Sequence, residues 1–117
     1  MPATSNLQAW VTSSNATVPM GILPINSYVV RVQLHATQAF NSDGTDNISV
    51  GITGTTNKFA TATDVSTTGV KTVTLGSGVG FQTSAQAVNA YYVNGGSAPT
   101  TGKAIVIIEY FIAPPSP

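Results

Sequence analysis

The protein has 117 residues, of which 42% are hydrophobic and only 7% are charged, and its formal net charge is zero. This length predicts a single domain, and the apolar fraction is sufficient for a core. The four basic residues are scattered along the chain, and cysteine is absent. The composition therefore argues against a nucleic-acid-binding surface, a disulfide framework and a cysteine-based metal site.

The low charge also bears on how the surface is used. Typical soluble domains carry about 25% charged residues, and charge keeps free monomers apart in solution. One interpretation is that other protein copies cover much of the surface. The other is that a surface rich in Thr, Ser and Asn is simply common in extracellular or virion β-proteins, and the two interpretations are compatible.

Targeting signals are not recognisable in the sequence. Residues 1–5 contain neither the basic nor the apolar region of a secretory signal. The longest strongly apolar run, residues 104–108, is too short to span a bilayer. We therefore expect synthesis in the cytoplasm of the cell and no association with a membrane.

Short runs of β-branched residues, separated by turn residues, predict an all-β sandwich or barrel without long helices. Residues 1–24 are expected to form an N-terminal arm or edge strand, with Trp10 on the opposite side from Leu7. Pro19 and Pro24 restrict the end of this segment to an edge or an irregular path, because proline cannot donate to a sheet ladder. Residues 25–113 are expected to form the sandwich domain and residues 114–117 a proline-rich tail.

The clearest strand is predicted over residues 28–38, where apolar and polar residues alternate. Residues 41–47 contain Asp43-Gly44, which predicts a hairpin turn followed by a return strand over residues 48–52. Residues 54–68 are expected to be a polar connection. The strand over residues 28–38 is predicted to carry on its core face Tyr28, Val30, Val32, Leu34 and Ala36.

The last strand, residues 103–112, is apolar on both faces, interrupted only by Lys103 and Glu109. An antiparallel strand with one wet face alternates instead. Either this strand lies between two layers or its outer face meets another subunit, and we favour the subunit interface. Aromatic residues are common anchors in interfaces, so the residues predicted for self-association are Ile105, Ile107, Phe111, Tyr91 and Tyr92.

The search for catalytic or metal-binding groups yields no complete constellation. His35 is the only histidine, and it lies on a polar strand face without a nucleophile elbow in the chain. Asp43 and Asp46 could supply oxygens to a cation, but the spacing fits a turn better than a calcium loop. Residues 76–80 are glycine-rich but lack the lysine of a phosphate-binding loop. We therefore expect no enzymatic activity, no cofactor and no metal ion.

Four stretches within residues 25–112 resemble small virion proteins of tailed bacteriophages, in their Thr-, Ala-, Gly- and Val-rich pattern and their terminal apolar strand closing in Glu-Tyr. They are Ser27-Tyr28-Val29-Val30-Arg31-Val32, Ile48-Ser49-Val50-Gly51, Ala62-Thr63-Asp64-Val65-Ser66-Thr67-Thr68-Gly69-Val70 and Lys103-Ala104-Ile105-Val106-Ile107-Ile108-Glu109-Tyr110. The resemblance implies a single antiparallel, jelly-roll-like β-sandwich, which such proteins often assemble into a trimer. An extended N-terminal arm precedes it in our prediction, outside the resembling part.

The resemblance implies a capsid decoration (cement) protein, a homotrimer that binds the major capsid protein on the capsid surface of the virion and stabilises the shell. The residues predicted to dock to the shell are Leu7, Trp10, Met20, Ile22 and Leu23. The alternative is a fibre, neck or tail component whose sandwich binds a host glycan. Exposed aromatic residues would carry that binding, and the candidates are Trp10, Tyr28, Tyr91, Tyr92 and Tyr110.

Overall fold

A computed structural model describes residues 3–114 of the chain and contains eight β-strands. The predicted tail falls largely on residues 115–117, which lie outside the described part. The strands, numbered in chain order, are β1 (Ser5–Thr12), β2 (Thr17–Leu23), β3 (Ser27–Gln38), β4 (Asp46–Ile52), β5 (Thr55–Asp64), β6 (Gly69–Lys71), β7 (Gln86–Asn94) and β8 (Lys103–Ile112).

The strands form two four-stranded antiparallel sheets, with the orders β1-β8-β3-β6 and β2-β7-β4-β5. From β1 to β4 the chain changes sheet at every connection, so that β1 and β3 lie in one sheet and β2 and β4 in the other. The first and last strands pair with each other. Eight strands in two sheets with this connectivity form a jelly roll. The predicted fold class, an antiparallel jelly-roll-like sandwich, is confirmed.

The core lies between the inner faces of the two sheets. In β8, Val106 and Ile108 are completely buried, and each contributes about 1.5–3 kcal/mol to stability by leaving water. Phe59 is also completely buried, on β5. No helix within residues 3–114 is long and apolar enough to cross a membrane.

The N-terminal segment takes the edge-strand form of the prediction. Its strands β1 and β2 are the edge strands of the two sheets, so the segment belongs to the sandwich. Leu7 faces the core side and Trp10 the outside, as the alternation predicted. Pro19 lies on edge strand β2, beside an irregularity in the ladder between Pro19 and Gly21.

The face assignment at the start of β3 was wrong. The ladder between β3 and β8 shifts register between Val29 and Arg31, which leaves Val30 as an extra residue. A one-residue bulge exchanges the two faces of a strand. Tyr28 is therefore exposed and Val29 is buried, whereas strict alternation placed them the other way round.

The predicted hairpin through Asp43-Gly44 was also wrong. Strands β3 and β4 belong to different sheets, so residues 41–47 cross from one sheet to the other. Strand β4 pairs with β7 on one side and forms a hairpin with β5 on the other, and β5 occupies most of the segment predicted to be a polar connection. The tight turn of that hairpin contains Gly54, whose φ is 89°, a value that favours glycine. Strand β6 has only three residues, Gly69–Lys71.

Gly102 tests how closely the loop before β8 packs on the core. Its φ is 148°, and a Cβ atom at this position would overlap the ring of the buried Phe40. Gly102→Ala should therefore lower the free energy of unfolding by about 1–3 kcal/mol from backbone strain alone. Gly80→Ala is the matched control, because its φ is not positive and a Cβ there meets no atom within 4 Å. Urea unfolding of both variants measures the difference, and equal midpoints would contradict this packing.

Candidate interaction surface

The outer face of the β1-β8-β3-β6 sheet presents a cross-strand row of side chains. Ile105 of β8 is paired with Trp10 of β1 on one side and with His35 of β3 on the other, and His35 is paired with Val70 of β6. Trp10 is 49% exposed and Val70 is 79% exposed, while Ile105 is half-buried. No other layer of residues 3–114 covers this face, so β8 is central within its sheet but not between two layers.

A shallow groove of about 230 Å³ runs along this row, and its lining is mainly apolar. Ile107 follows Ile105 along β8 and also lines the groove, together with Gln33 and His35 of β3. We refer to Trp10, Val70, Ile105 and Ile107 as the apolar patch. Grouped apolar side chains on an otherwise polar surface are typical of a contact with another protein.

An ion pair interrupts the apolar stripe on β8. Arg31 Nε donates to Glu109 Oε1 over 2.9 Å, and the two residues face each other across the β3–β8 ladder. Both side chains are accessible to water, at 57% and 24% exposure, so the pair adds little stability to the monomer. Glu109 lies between Ile107 and Phe111 along β8, so this outer face carries one oriented ion pair between its apolar side chains.

Three aromatic residues form a cluster at the far end of the same face. The ring of Tyr28 stacks on Phe111 with centroids 5.5 Å apart and meets Phe81 edge-on at 5.0 Å. Phe81 is 59% exposed and Tyr28 is 37% exposed. We refer to Tyr28, Phe81 and Phe111 as the aromatic cluster.

The outer face of the other sheet is more polar. A depression of about 280 Å³ there is lined by Asn47, Ser49, Thr56, Asn57, Ala62, Tyr91 and Val93. Tyr91 is half-buried on this face, and its hydroxyl accepts a hydrogen bond from Asn89. Ile22 on β2 is 56% exposed on the same sheet.

The structure divides the predicted contact residues among three places. Ile105, Ile107 and Phe111 share one outer face with Trp10, whereas Tyr91 and Ile22 belong to the other sheet. Leu7 is half-buried against the core. Three assignments were wrong, because Tyr92, Met20 and Leu23 have at most 8% exposure and are core residues.

The physical reason for those three errors is the strand period. Met20 and Leu23 were grouped with Ile22 because the segment looked irregular, yet β2 is a strand that turns alternate residues inward around its bulge. Tyr91 and Tyr92 are neighbours in β7, so only one of them can face outward. Tyr92 and Tyr110 are both buried and are therefore also excluded as glycan-binding aromatics.

Tyr92 makes a polar contact within the core. Its hydroxyl donates to Asp46 Oδ1 over 2.5 Å, and its ring stacks on Phe40 at 4.7 Å. Burial, and then the bond to Asp46, raise the pKa of Tyr92 well above its ordinary value, so the phenol remains a donor. Asp46 also accepts from the Ser42 amide and thereby ties residues 41–47 to the sandwich.

The carboxylates once considered for a cation are already engaged with the chain. Asp43 accepts hydrogen bonds from the amide and the hydroxyl of Ser97, and these bonds lower the pKa of Asp43. The bonds join residues 41–47 to the loop before β8. Within residues 3–114 no group of three or more His, Asp or Glu side chains is arranged to hold a metal ion.

Sequence reasoning missed two members of this surface. They are Val70 of β6 and Phe81, which lies in the connection between β6 and β7. The exposed position of Tyr28 could have been found only from the bulge at Val30, which no turn residue marks. The sequence shows that Arg31 and Glu109 have opposite charges, but only the β3–β8 register shows that they form a pair.

The geometry defines a class of protein by its fold, an eight-stranded jelly-roll sandwich with one apolar outer face. No known family model matches the sequence, and no curated protein is significantly similar to it.

Two solved structures contain chains of the same fold. One is the acid-stable capsid structure of Helicobacter pylori bacteriophage KHP30, with a TM-score of 0.66 and 21% identity over 96% of this chain and 90% of that chain. The other is the capsid asymmetric unit of cyanophage Pam1, with a TM-score of 0.66 and 18% identity over 95% and 84%. At this identity the similarity concerns the fold.

The bond between Tyr92 and Asp46 can be tested by removing one hydroxyl. Tyr92→Phe should lower the free energy of unfolding by about 1–3 kcal/mol, because buried Asp46 loses a donor. Tyr91→Phe is the control and should change it by no more than about 0.5 kcal/mol, since that hydroxyl bonds near the surface. Urea unfolding at pH 7 measures both, and a Tyr92→Phe variant as stable as the control would contradict the assigned role.

Proposed function

We propose that this protein is a structural component of a phage virion, a capsid decoration protein that self-associates as a homotrimer and binds the capsid shell. The observation that carries the proposal is the apolar patch on the outer face of the β1-β8-β3-β6 sheet. Ile105 and Ile107 lie at its centre, half-buried and flanked by the exposed Trp10 and Val70. Covering this patch with another copy removes apolar surface from water, which is the main driving force of association.

The fold supports the placement in a virion. Chains of the two phage capsid structures share the whole sandwich, with more than nine-tenths of this chain aligned in each case. The low charge is consistent with a protein that lies against others. Under this proposal the protein is made in the host cytoplasm and is located on the capsid surface.

Docking to the major capsid protein is assigned to a different surface from self-association. Of the residues predicted for docking, Trp10 joins the apolar patch by its pairing with Ile105, and Leu7 is half-buried. Ile22 remains as an exposed apolar anchor on the other sheet. A trimer that presents three such anchors binds the shell more tightly than a monomer, through effective concentration. Binding the assembled shell then stabilises it by mass action.

The proposal includes no catalytic step and no cofactor. His35 pairs across the sheet with Ile105 and Val70, so its two cross-strand neighbours are apolar. Asp43 and Asp46 hold loops in place through hydrogen bonds. These groups are used for structure and for the contact surface.

A second candidate function is glycan binding as part of a fibre, neck or tail component. The observation that favours it is the aromatic cluster, where Tyr28 and Phe81 offer exposed rings. Arg31 and Glu109 lie next to the cluster and could bond sugar hydroxyls. Trp10 belongs to the apolar patch and lies farther along the face, on β1.

Ile107→Asp tests self-association through the patch. A carboxylate at the centre of a covered apolar face would be buried without a partner, so the mass measured by light scattering should fall. The β-type circular dichroism should stay, because Ile107 faces away from the core. Val93→Asp is the matched control, since Val93 is 62% exposed on the opposite sheet, and its mass should equal that of the wild type.

Shells of the source phage, stripped of this protein, provide the second measurement. The wild type should co-sediment with the shells, and Ile107→Asp should bind at least 10-fold more weakly because multivalency is lost. An Ile107→Asp variant that keeps its mass and its shell binding would refute the assignment of the patch.

Tyr28→Ala separates the glycan-binding candidate from the decoration proposal. If the aromatic cluster binds sugar, wild type should bind on a glycan array and Tyr28→Ala should lose that binding while keeping its shell affinity. Phe81→Ala serves as a second variant of the cluster. Absence of array binding by the wild type would eliminate this candidate and leave the shell-binding proposal unaffected.

A further inference from the structure

The two sheets have four edge strands, and two of these edges are protected, one by neighbouring chain and one by its short length. Residues 74–78 cover the edge of β5, where the amide of Thr61 donates to Thr74 and the amides of Gly76 and Gly78 donate back to β5. Strand β6 covers only part of β3 and is itself three residues long, with Lys71 at its end. Short, charged or covered edges are the usual means by which sheets avoid pairing with another chain.

The edge of β2 is closed by proline. The Tyr92 amide donates to the Ala16 carbonyl over 2.8 Å, in the register of the β2–β7 ladder. Bonded pairs recur at every second residue of an antiparallel ladder, so the backbone of Thr17 and Pro19 faces away from β7. Pro19 has no N–H to offer there, and the bulge that follows it distorts the edge.

The edge of β1 has none of these protections. Its register with β8 is continuous from Ser5 to Thr12, and its sequence contains no proline, glycine or charged residue. Within residues 3–114 no other strand pairs with its free side. An open, regular edge of eight residues is a template for another strand.

The backbone groups on the free side of β1 can be assigned. The Ser13 amide donates to the Gly102 carbonyl over 3.1 Å, in the β1–β8 register. Stepping by two along the ladder, Leu7, Ala9 and Val11 bond to β8. The N–H and C=O groups of the residues between them point to the open side, and these residues are Asn6, Gln8 and Trp10.

We propose that β1 pairs with β1 of a second copy, antiparallel and about a two-fold axis at Gln8. In this register Gln8 lies opposite the same residue of the other copy, and Asn6 lies opposite Trp10, so every outward backbone group gains a partner. On the inner side Leu7 faces Ala9, which extends the core. Because β1 carries no charge, no like charges oppose each other.

The apolar patch supports a second copy as the occupant. Trp10 is both a patch member and an edge residue, so the pairing places two patches side by side on one continuous sheet of eight strands. This inference rests on the proposed function, in which copies of this chain assemble with one another. It adds a contact distinct from the patch, because a trimer formed through the patch keeps its β1 edges for neighbouring trimers.

An engineered disulfide tests this register directly. The chain has no cysteine, so Gln8→Cys introduces a single thiol, opposite its own copy. Bonded pairs have Cα atoms about 5.5 Å apart, within disulfide range. Mild oxidation should give a covalent dimer on a non-reducing gel, at least 10-fold more than Val93→Cys, an exposed control on the other sheet. Equal cross-linking of the two variants would overturn the pairing.

Two proline variants form the second test. Gln8→Pro removes an outward N–H, so it should keep the unfolding midpoint of the wild type and lose at least 10-fold in association through the edge. Ala9→Pro removes a bond to β8 and should lower the midpoint. Gln8→Pro with unchanged association would overturn the proposal.

The outcomes also separate this inference from the proposed function. If Ile107→Asp keeps its mass while Gln8→Cys cross-links, the patch assignment fails and the edge pairing stands. If Ile107→Asp loses mass while Gln8→Cys does not cross-link, the patch stands and the edge pairing fails.

Discussion

The pairing of β8 between β1 and β3 is the constraint on which the rest of the structure depends. It joins the two ends of the chain, since β1 and β8 are the first and last strands. It also turns Val106 and Ile108 completely into the core, so Ile105 and Ile107 must face outward. A strand with this composition buries one apolar row and presents the other, because side chains alternate strictly across a sheet.

The surface properties follow from that arrangement. The outward row of β8 lies beside Trp10 of β1 on one side. On the other side, beyond β3, lies Val70 of β6, and together these residues form the apolar patch. The bulge at Val30 then turns Tyr28 outward, onto Phe111, and completes the aromatic cluster. Between the apolar patch and the aromatic cluster lies the ion pair of Arg31 and Glu109, which adds little stability to the monomer.

The loops at one end of the sandwich are held by polar contacts rather than by apolar burial. Asp46 is buried and bonds to Tyr92, and Asp43 reaches Ser97 across to the loop before β8. Gly102 lets that loop pass against Phe40 without a clash. Asp43 and Asp46, two of the four acidic residues of this chain, are thus committed to fixing its own connections.

Much of the fold could be read from residue patterns. The bounds of β8, its two apolar faces, the outward position of Trp10 and the edge placement of Pro19 all follow from period-two alternation and from the chemistry of proline. These are local properties, because each depends on neighbours in the sequence. The same local reasoning failed at residues 41–47, where a strong turn signal connects two sheets instead of two paired strands, and at Tyr28, where an unmarked bulge reversed the faces.

What the sequence by itself determined was an all-β sandwich, a last strand with surplus apolar surface and a chain poor in charge. Only the tertiary structure decided that Met20, Leu23 and Tyr92 are core residues, that Trp10 adjoins Ile105, and that β1 keeps an open edge. The reason is that these properties depend on register and on strand order across the two sheets, which join residues distant in the chain. Composition and periodicity specify which faces are apolar, but not which strands lie side by side.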